Sequence, residues 1–175
     1  LSLAVAFFPA FLCTCSKVVI ERAGKPESKT FSNFLTNFKE YRWCMTGMLA
    51  DAADEISSHL HFYDSETYQV SQVGQEIDKT LRHLVHLFVN KNAHDLGFTK
   101  QVLRWLQKSH IVKLNAGIVV LGGLDATKMG NILDRCYLEF QKWVKLMLVT
   151  FESEFPQWHV LRNFNAFNLR VQHAD

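Results

Sequence analysis

Histidine is the residue type in this chain that first suggests chemistry, because eight occur in 175 residues and neutral imidazole is a common metal ligand. His83 and His86 stand one helical turn apart, and His59 and His61 are placed to approach them from a second helix. A zinc site needs three or four ligands, and no carboxylate sits three or four residues from the His83/His86 pair. The histidines therefore read as partly exposed structural residues, and no metal is expected. The four cysteines, Cys13, Cys15, Cys44 and Cys136, show no CxxC spacing, so neither a zinc knuckle nor a thioredoxin-type redox site is indicated. Nucleophilic or phosphate chemistry would need a GxSxG elbow, a P-loop or a Rossmann glycine pattern, and the sequence carries none. Carboxylates such as Asp51, Asp54 and Glu55 read as solvated-face charges. The expectation is a protein that is not an enzyme and takes no cofactor.

Composition sets the class. Nineteen Lys and Arg against 17 Asp and Glu give a formal charge of +2, which excludes a polybasic nucleic-acid binder and an acidic disordered tail. Hydrophobic residues make up 48% and charged residues only 21%, so the chain can bury a large core. Three Pro and eight Gly supply little turn chemistry for an all-β fold.

Apolar residues then recur at steps of three and four. Phe31, Phe34/Leu35, Phe38, Tyr41, Met45, Met48/Leu49, Ala52, Ile56 and Leu60 trace one helix, N-capped at Thr30 and bent near Gly47. Val70, Val73, Ile77, Leu81, Leu84/Val85 and Phe88 trace a second, closed by Asn90-Lys91-Asn92. Phe98, Val102/Leu103, Leu106, Ile111, Leu114, Ile118 and Leu121 trace a third, ended by Gly122-Gly123. Asp125 is placed to cap a fourth helix, which runs from Met129 through Ile132, Cys136 and Phe140 to Phe151, with a short last helix over Trp158, Leu161, Phe164 and Leu169.

The segment Leu1 to Cys15, LSLAVAFFPAFLCTC, has the composition of a signal-peptide core. It lacks a small-x-small cleavage site, and Pro9 and the nearby Lys17 count against a membrane span. It is expected to stay as a first helix packed on the body. The fold class is thus all-α, a single domain over 1–175 forming an antiparallel bundle of about six helices.

With the helices in order, the chain resembles the tumour-necrosis-factor-induced protein eight (TIPE) family from end to end. The similarity is carried by Ser2-Leu3-Ala4, by Leu35 with Phe38-Lys39-Glu40-Tyr41, by Lys79 with Leu81 to Leu84, by Phe98-Thr99 with Val102-Leu103 and Leu106, and by Leu124, Lys128, Gly130, Ile132, Tyr137 and Phe140. The family's Lys-Ser-His-Gly-Arg signature is altered here, with Asn131 in place of Arg. The resemblance implies a cytoplasmic lipid-binding or lipid-transfer protein of survival and inflammatory signalling, which holds acyl chains in a central apolar cavity and a phosphoinositide headgroup at its mouth. Its partners would be that lipid, phosphoinositide or fatty acyl chain, and transiently a membrane surface. Leu84, Phe88, Leu103, Leu106, Ile118, Leu121, Ile132, Cys136 and Phe140, on the inward stripes, are the candidates for the cavity wall. A solid core of the same residues is the alternative. Lys17, Lys79 and Arg82 are the nearest cations for a headgroup.

Two other function classes stay open. Leu49 to Ile56, LADAADEI, approaches the BH3 pattern of a Bcl-two-like apoptosis regulator. A secreted helical cytokine would use the first segment as a signal and join Cys44 to Cys136.

Overall fold

A computed structural model describes residues 2–64, 72–115, 117–154 and 160. Among them are six α-helices and one two-stranded sheet: α1 (Ser2–Glu21), α2 (Pro26–Thr36), α3 (Glu40–Tyr63), α4 (Val73–Leu84), α5 (Gly97–Gln107), the strands β1 (Ser109–Leu114) and β2 (Gly117–Gly122), and α6 (Ala126–Glu154). The protein is mostly helical. The expected last helix over Trp158 to Leu169 lies outside the described residues, Val160 excepted.

The chain divides into two compact units. The first takes residues up to Asp51 and His94–Cys136; the second takes Ala52–Ala93 and the chain from Tyr137 onward.

In the first unit, α1 buries Val5, Phe8, Leu12, Cys15 and Val19, a run of three-and-four steps that defines one helix face. Pro9 sits inside this helix. The chain turns at Gly24, whose φ of 79° is the left-handed conformation that only glycine adopts freely. Pro26 then opens α2, and the buried Ser28 hydroxyl donates to the Val19 carbonyl at 3.0 Å. The helix thus begins before Thr30, which is no N-cap: its hydroxyl donates back to the Pro26 carbonyl at 3.1 Å. The single helix expected over Phe31 to Leu60 is broken at residues 37–39. Asn37 closes α2 by donating its Nδ2 to the Asn33 carbonyl at 2.9 Å, the local side-chain bond with which Asn competes against helix continuation. Gly47 lets α5 approach α3, since a Cβ there would meet Val102 Cγ2 at 3.0 Å and Thr99 Cα at 3.1 Å.

The all-α expectation needs one correction. Residues 109–122 form an antiparallel hairpin in which Ile111 pairs with Val120, Val112 with Val119 and Lys113 with Ile118. Ile111, Val112, Ile118, Val119 and Val120 are β-branched, and such residues lose rotamer freedom in a helix but pack well on a pleated surface. Pairing of Leu114 with Gly117 leaves a connection of two residues. Ile118 consequently faces outward at 64% exposure, whereas Leu121 and Val112 are buried.

Asp125 caps α6 as expected, its Oδ1 accepting from Lys128 N at 2.8 Å. In the second unit, Phe88 stacks on Phe140 with ring centroids 4.6 Å apart, and Ile77 and Leu81 pack with Val73, Leu148 and Phe151. After α4 the chain continues as a π-helical turn, Val85–Val89, before Lys91 takes a φ of 58° and reverses it.

A candidate anion-binding cleft

Among the described residues an open cleft lies wholly in the first unit, between α1, the end of α5 and β1. It measures about 820 Å³ and is open to solvent, with Pro9, Leu12, Cys13, Ser16 and Lys17 on one side and Arg104, Trp105, Lys108 and Ser109 to Val112 on the other. Its wall carries three full cations, Lys17, Arg104 and Lys108, together with His110, and no carboxylate.

Local chemistry explains how these groups meet. Helix α5 stops at Lys108, whose ψ of 141° turns the chain into β1. The carbonyls that the stop leaves open are taken by the far end of the hairpin: Gly123 N donates to the Lys108 carbonyl at 3.0 Å and Leu124 N to the Leu106 carbonyl at 3.1 Å. Gly122 fits there because, at φ 74°, it presses on the Lys108 carbonyl where any Cβ would overlap it. The reversal lays the His110 ring flat on Trp105, centroids 4.1 Å apart and planes 5° from parallel. His110 Nε2 lies 2.9 Å from the Trp105 carbonyl, which only accepts, so this nitrogen carries the proton. Helix α1 is tied beside the strand by two bonds: Ser16 Oγ donates to the Lys113 carbonyl at 3.0 Å, and Asn115 Nδ2 to the Val19 carbonyl at 2.6 Å. These contacts cover the β1 edge and set Lys17 across from Arg104 and Lys108.

The start of α5 is fixed from α3. Its N-cap residue, Leu96, has no capping side chain, and Asp51 reaches over instead, accepting from Phe98 N at 2.6 Å and from Thr99 N at 2.9 Å. Asp51 is buried, which corrects its expected place among the solvated-face charges.

Behind the cleft lies an aromatic cluster. Phe8 stacks on Trp43 at 3.7 Å and meets Trp105 edge-on at 5.3 Å, and Phe38 meets Trp105 at 5.9 Å. A smaller cavity of about 190 Å³ is lined by Val5, Phe8, Trp43, Val102 and Trp105, among others.

The residues singled out in the sequence are distributed as follows. Lys17 lies in the cleft wall. Lys79 and Arg82 are on α4 in the second unit, where Lys79 Nζ is 3.5 Å from Glu76 and Arg82 is 4.0 Å from Asp78. Leu103, Leu106, Leu121 and Cys136 are buried in the first unit, Ile132 is half-buried and Ile118 exposed; Leu84, Phe88 and Phe140 are buried in the second. None of these nine lines the cleft. Arg104 and Lys108 line the cleft with Lys17 and His110 and were not anticipated as site residues.

Of the histidines expected to be structural, His59, His83 and His86 have hydrogen-bonding partners. His83 Nδ1 is 3.0 Å from Glu55 Oε2, and His59 Nδ1 is 3.1 Å from Thr80 Oγ1. Burial lowers the His59 pKa from its ordinary value, against a smaller opposing pull from Glu76. All four cysteines are free. Cys44 and Cys136 are fully buried in the first unit; a thiol hydrogen bond between them, with burial, pushes the Cys136 thiol far above its ordinary value. Helix α1 is long and apolar enough to cross a membrane, with a mean hydropathy of 2.0. No family model, curated protein or solved structure matches the chain.

Proposed function

We propose that the protein binds an anionic amphiphile, a lipid with a phosphate or carboxylate head, in the cleft of the first unit. The observation that carries this reading is a concave wall bearing Lys17, Arg104 and Lys108 without a carboxylate, beside the apolar Pro9, Leu12, Trp105 and Val112. Arg104 and Lys108 are one helical turn apart, so both can reach one head group, with Lys17 meeting it from α1. Arg supplies a planar fork for two oxygens, and Lys a mobile point charge. The tail gains about 0.8 kcal/mol for each methylene removed from water along the apolar wall.

This reading keeps the ligand class implied by the TIPE resemblance, phosphoinositide or fatty acyl lipid, but assigns it to a different set of side chains. It extends, as a proposal, to a carrier or sensor of lipid second messengers in survival and inflammatory signalling. Calorimetric titration with dodecyl phosphate and with uncharged dodecyl maltoside is the test. The phosphate should bind and the maltoside should not. Arg104→Ala with Lys108→Ala should weaken the phosphate by at least about tenfold, about 1.4 kcal/mol. Equal affinity for the two detergents, or an unaffected double variant, would remove the reading.

A further inference from the structure

We propose that the first unit docks on the surface of an anionic lipid bilayer through the outer face of its hairpin, delivering the cleft to the headgroups; the proposal rests on the cleft reading above. Register fixes the face. Because Ile111 pairs with Val120 and Lys113 with Ile118, and side chains alternate along a strand, these four share one side of the sheet. Ile111 is 69% exposed, Ile118 64% and Val120 59%, while the inward Val112 and Leu121 are buried. Three large β-branched side chains in contact register and open to water form a patch that a protein surface normally covers.

Charge identifies what covers it. Ile111 belongs both to this face and to the cleft wall, so the apolar patch runs directly into Lys17, Arg104 and Lys108. From Leu96 to Leu124 the sequence has Lys100, Arg104, Lys108 and Lys113 and not one Asp or Glu. Apolar side chains interleaved with cations fit a bilayer of negative surface potential, where the cations meet phosphates while the apolar groups enter the headgroup boundary. A second copy fits less well: a two-fold interface between outer faces would bring Lys113 toward its own counterpart with no carboxylate on the hairpin to offset it.

The test is flotation of the full chain with vesicles of phosphatidylcholine alone and of phosphatidylcholine with phosphatidylserine. Binding should be at least about tenfold stronger on the anionic vesicles and should fall as salt is raised. Ile118→Thr with Val120→Thr keeps the β-branch while removing apolar surface. It should weaken vesicle binding by about tenfold and leave dodecyl phosphate binding unchanged. Equal binding to both vesicles, or a hairpin variant that binds like the parent, would overturn the proposal. So would vesicle binding lost instead on Leu3→Ser with Phe7→Ser, which would place the contact on α1, or a dimer in sedimentation that the hairpin variant dissolves. Absent dodecyl phosphate binding together with hairpin-dependent flotation would sink the cleft reading and leave the docking face standing.

Discussion

Asp51→Ala should be among the most damaging single substitutions in the first unit, although Asp51 lies 47 residues from the first amide it holds. Its two oxygens accept from Phe98 N at 2.6 Å, Thr99 N at 2.9 Å and Thr99 Oγ1 at 2.5 Å. All three bonds are charge-assisted, and the carboxylate also faces the positive end of the α5 dipole. Loss of a helix cap costs about 1 kcal/mol, and each donor left buried without a partner costs about 1 to 3 kcal/mol. Thr99 is fully buried, so its amide and hydroxyl cannot recover bonds from water. The contributions share one group and do not simply add, which gives about 3 to 4 kcal/mol for the whole cap, a large part of a typical stability. Asp51→Asn keeps one acceptor oxygen but turns amide hydrogens toward a donor, and should cost about 2 kcal/mol. Urea unfolding followed by circular dichroism measures both. A second pair checks the geometry: at Gly97, φ 58°, a Cβ would overlap the Asp51 carboxylate, so Gly97→Ala should cost more in the parent than in Asp51→Ala. An alanine variant within about 0.5 kcal/mol of the parent, or strict additivity with Gly97→Ala, would refute the argument.

Three further outcomes are expected. A disulfide-exchange reagent should label one thiol rapidly, the exposed Cys13, and reach Cys15, Cys44 and Cys136 only after unfolding, since burial raises the Cys15 thiol and both the Cys44 bond and burial raise Cys136; fast reaction of more than one would contradict it. His59 has a folded pKa below its ordinary 6.5, so its contribution is fully present above that value and is lost as pH falls through it, when the unfolded chain takes a proton the folded chain resists. His59→Gln should flatten that part of the stability profile, and an unchanged profile would assign the slope elsewhere. Leu106→Trp tests solid core against lipid tunnel: Leu106 is fully buried, and overpacking should cost about 1 to 3 kcal/mol, whereas a tolerated Trp would point to empty space at that position.

The helices α4 and α6 were legible because their apolar residues keep one period without a rival pattern, and the Asp125 cap because its bond is local. The break between α2 and α3 was hidden by the same regularity. Phe34, Leu35, Phe38 and Tyr41 keep a helical spacing across residues that are not helical, because each flanking helix needs its own inward face. The hairpin was missed for a related reason: Ile111, Leu114, Ile118 and Leu121 step by three and four, yet the inward residues are Val112 and Leu121. Density of β-branched residues around Asn115 and Gly117 was the competing signal, and it outweighed period.

That one assignment also concealed the site. Had α5 continued through Leu121, Lys108 would be another cation on a helix flank and His110 would project from a turn away from Trp105. Because the helix ends at Lys108, the chain doubles back, His110 stacks on Trp105, and Arg104 and Lys108 come to border a concave surface facing Lys17. The end itself is stabilised from a distance, by Gly123 and Leu124 donating to the carbonyls of Lys108 and Leu106. A cleft made by a chain reversal leaves no spacing motif, since its cations are contiguous with an ordinary helix face in sequence. Its trace is the charge pattern: four cations and no carboxylate between Leu96 and Leu124 in a chain whose charges otherwise nearly balance. Like charges at i and i+4, as at Lys100/Arg104/Lys108, repel one another, an effect that the negative end of the α5 dipole offsets only in the last turn, at Arg104 and Lys108. Persistent imbalance of that kind makes physical sense where an anion is bound, and among the described residues the cleft of the first unit, of about 820 Å³, lies beside it.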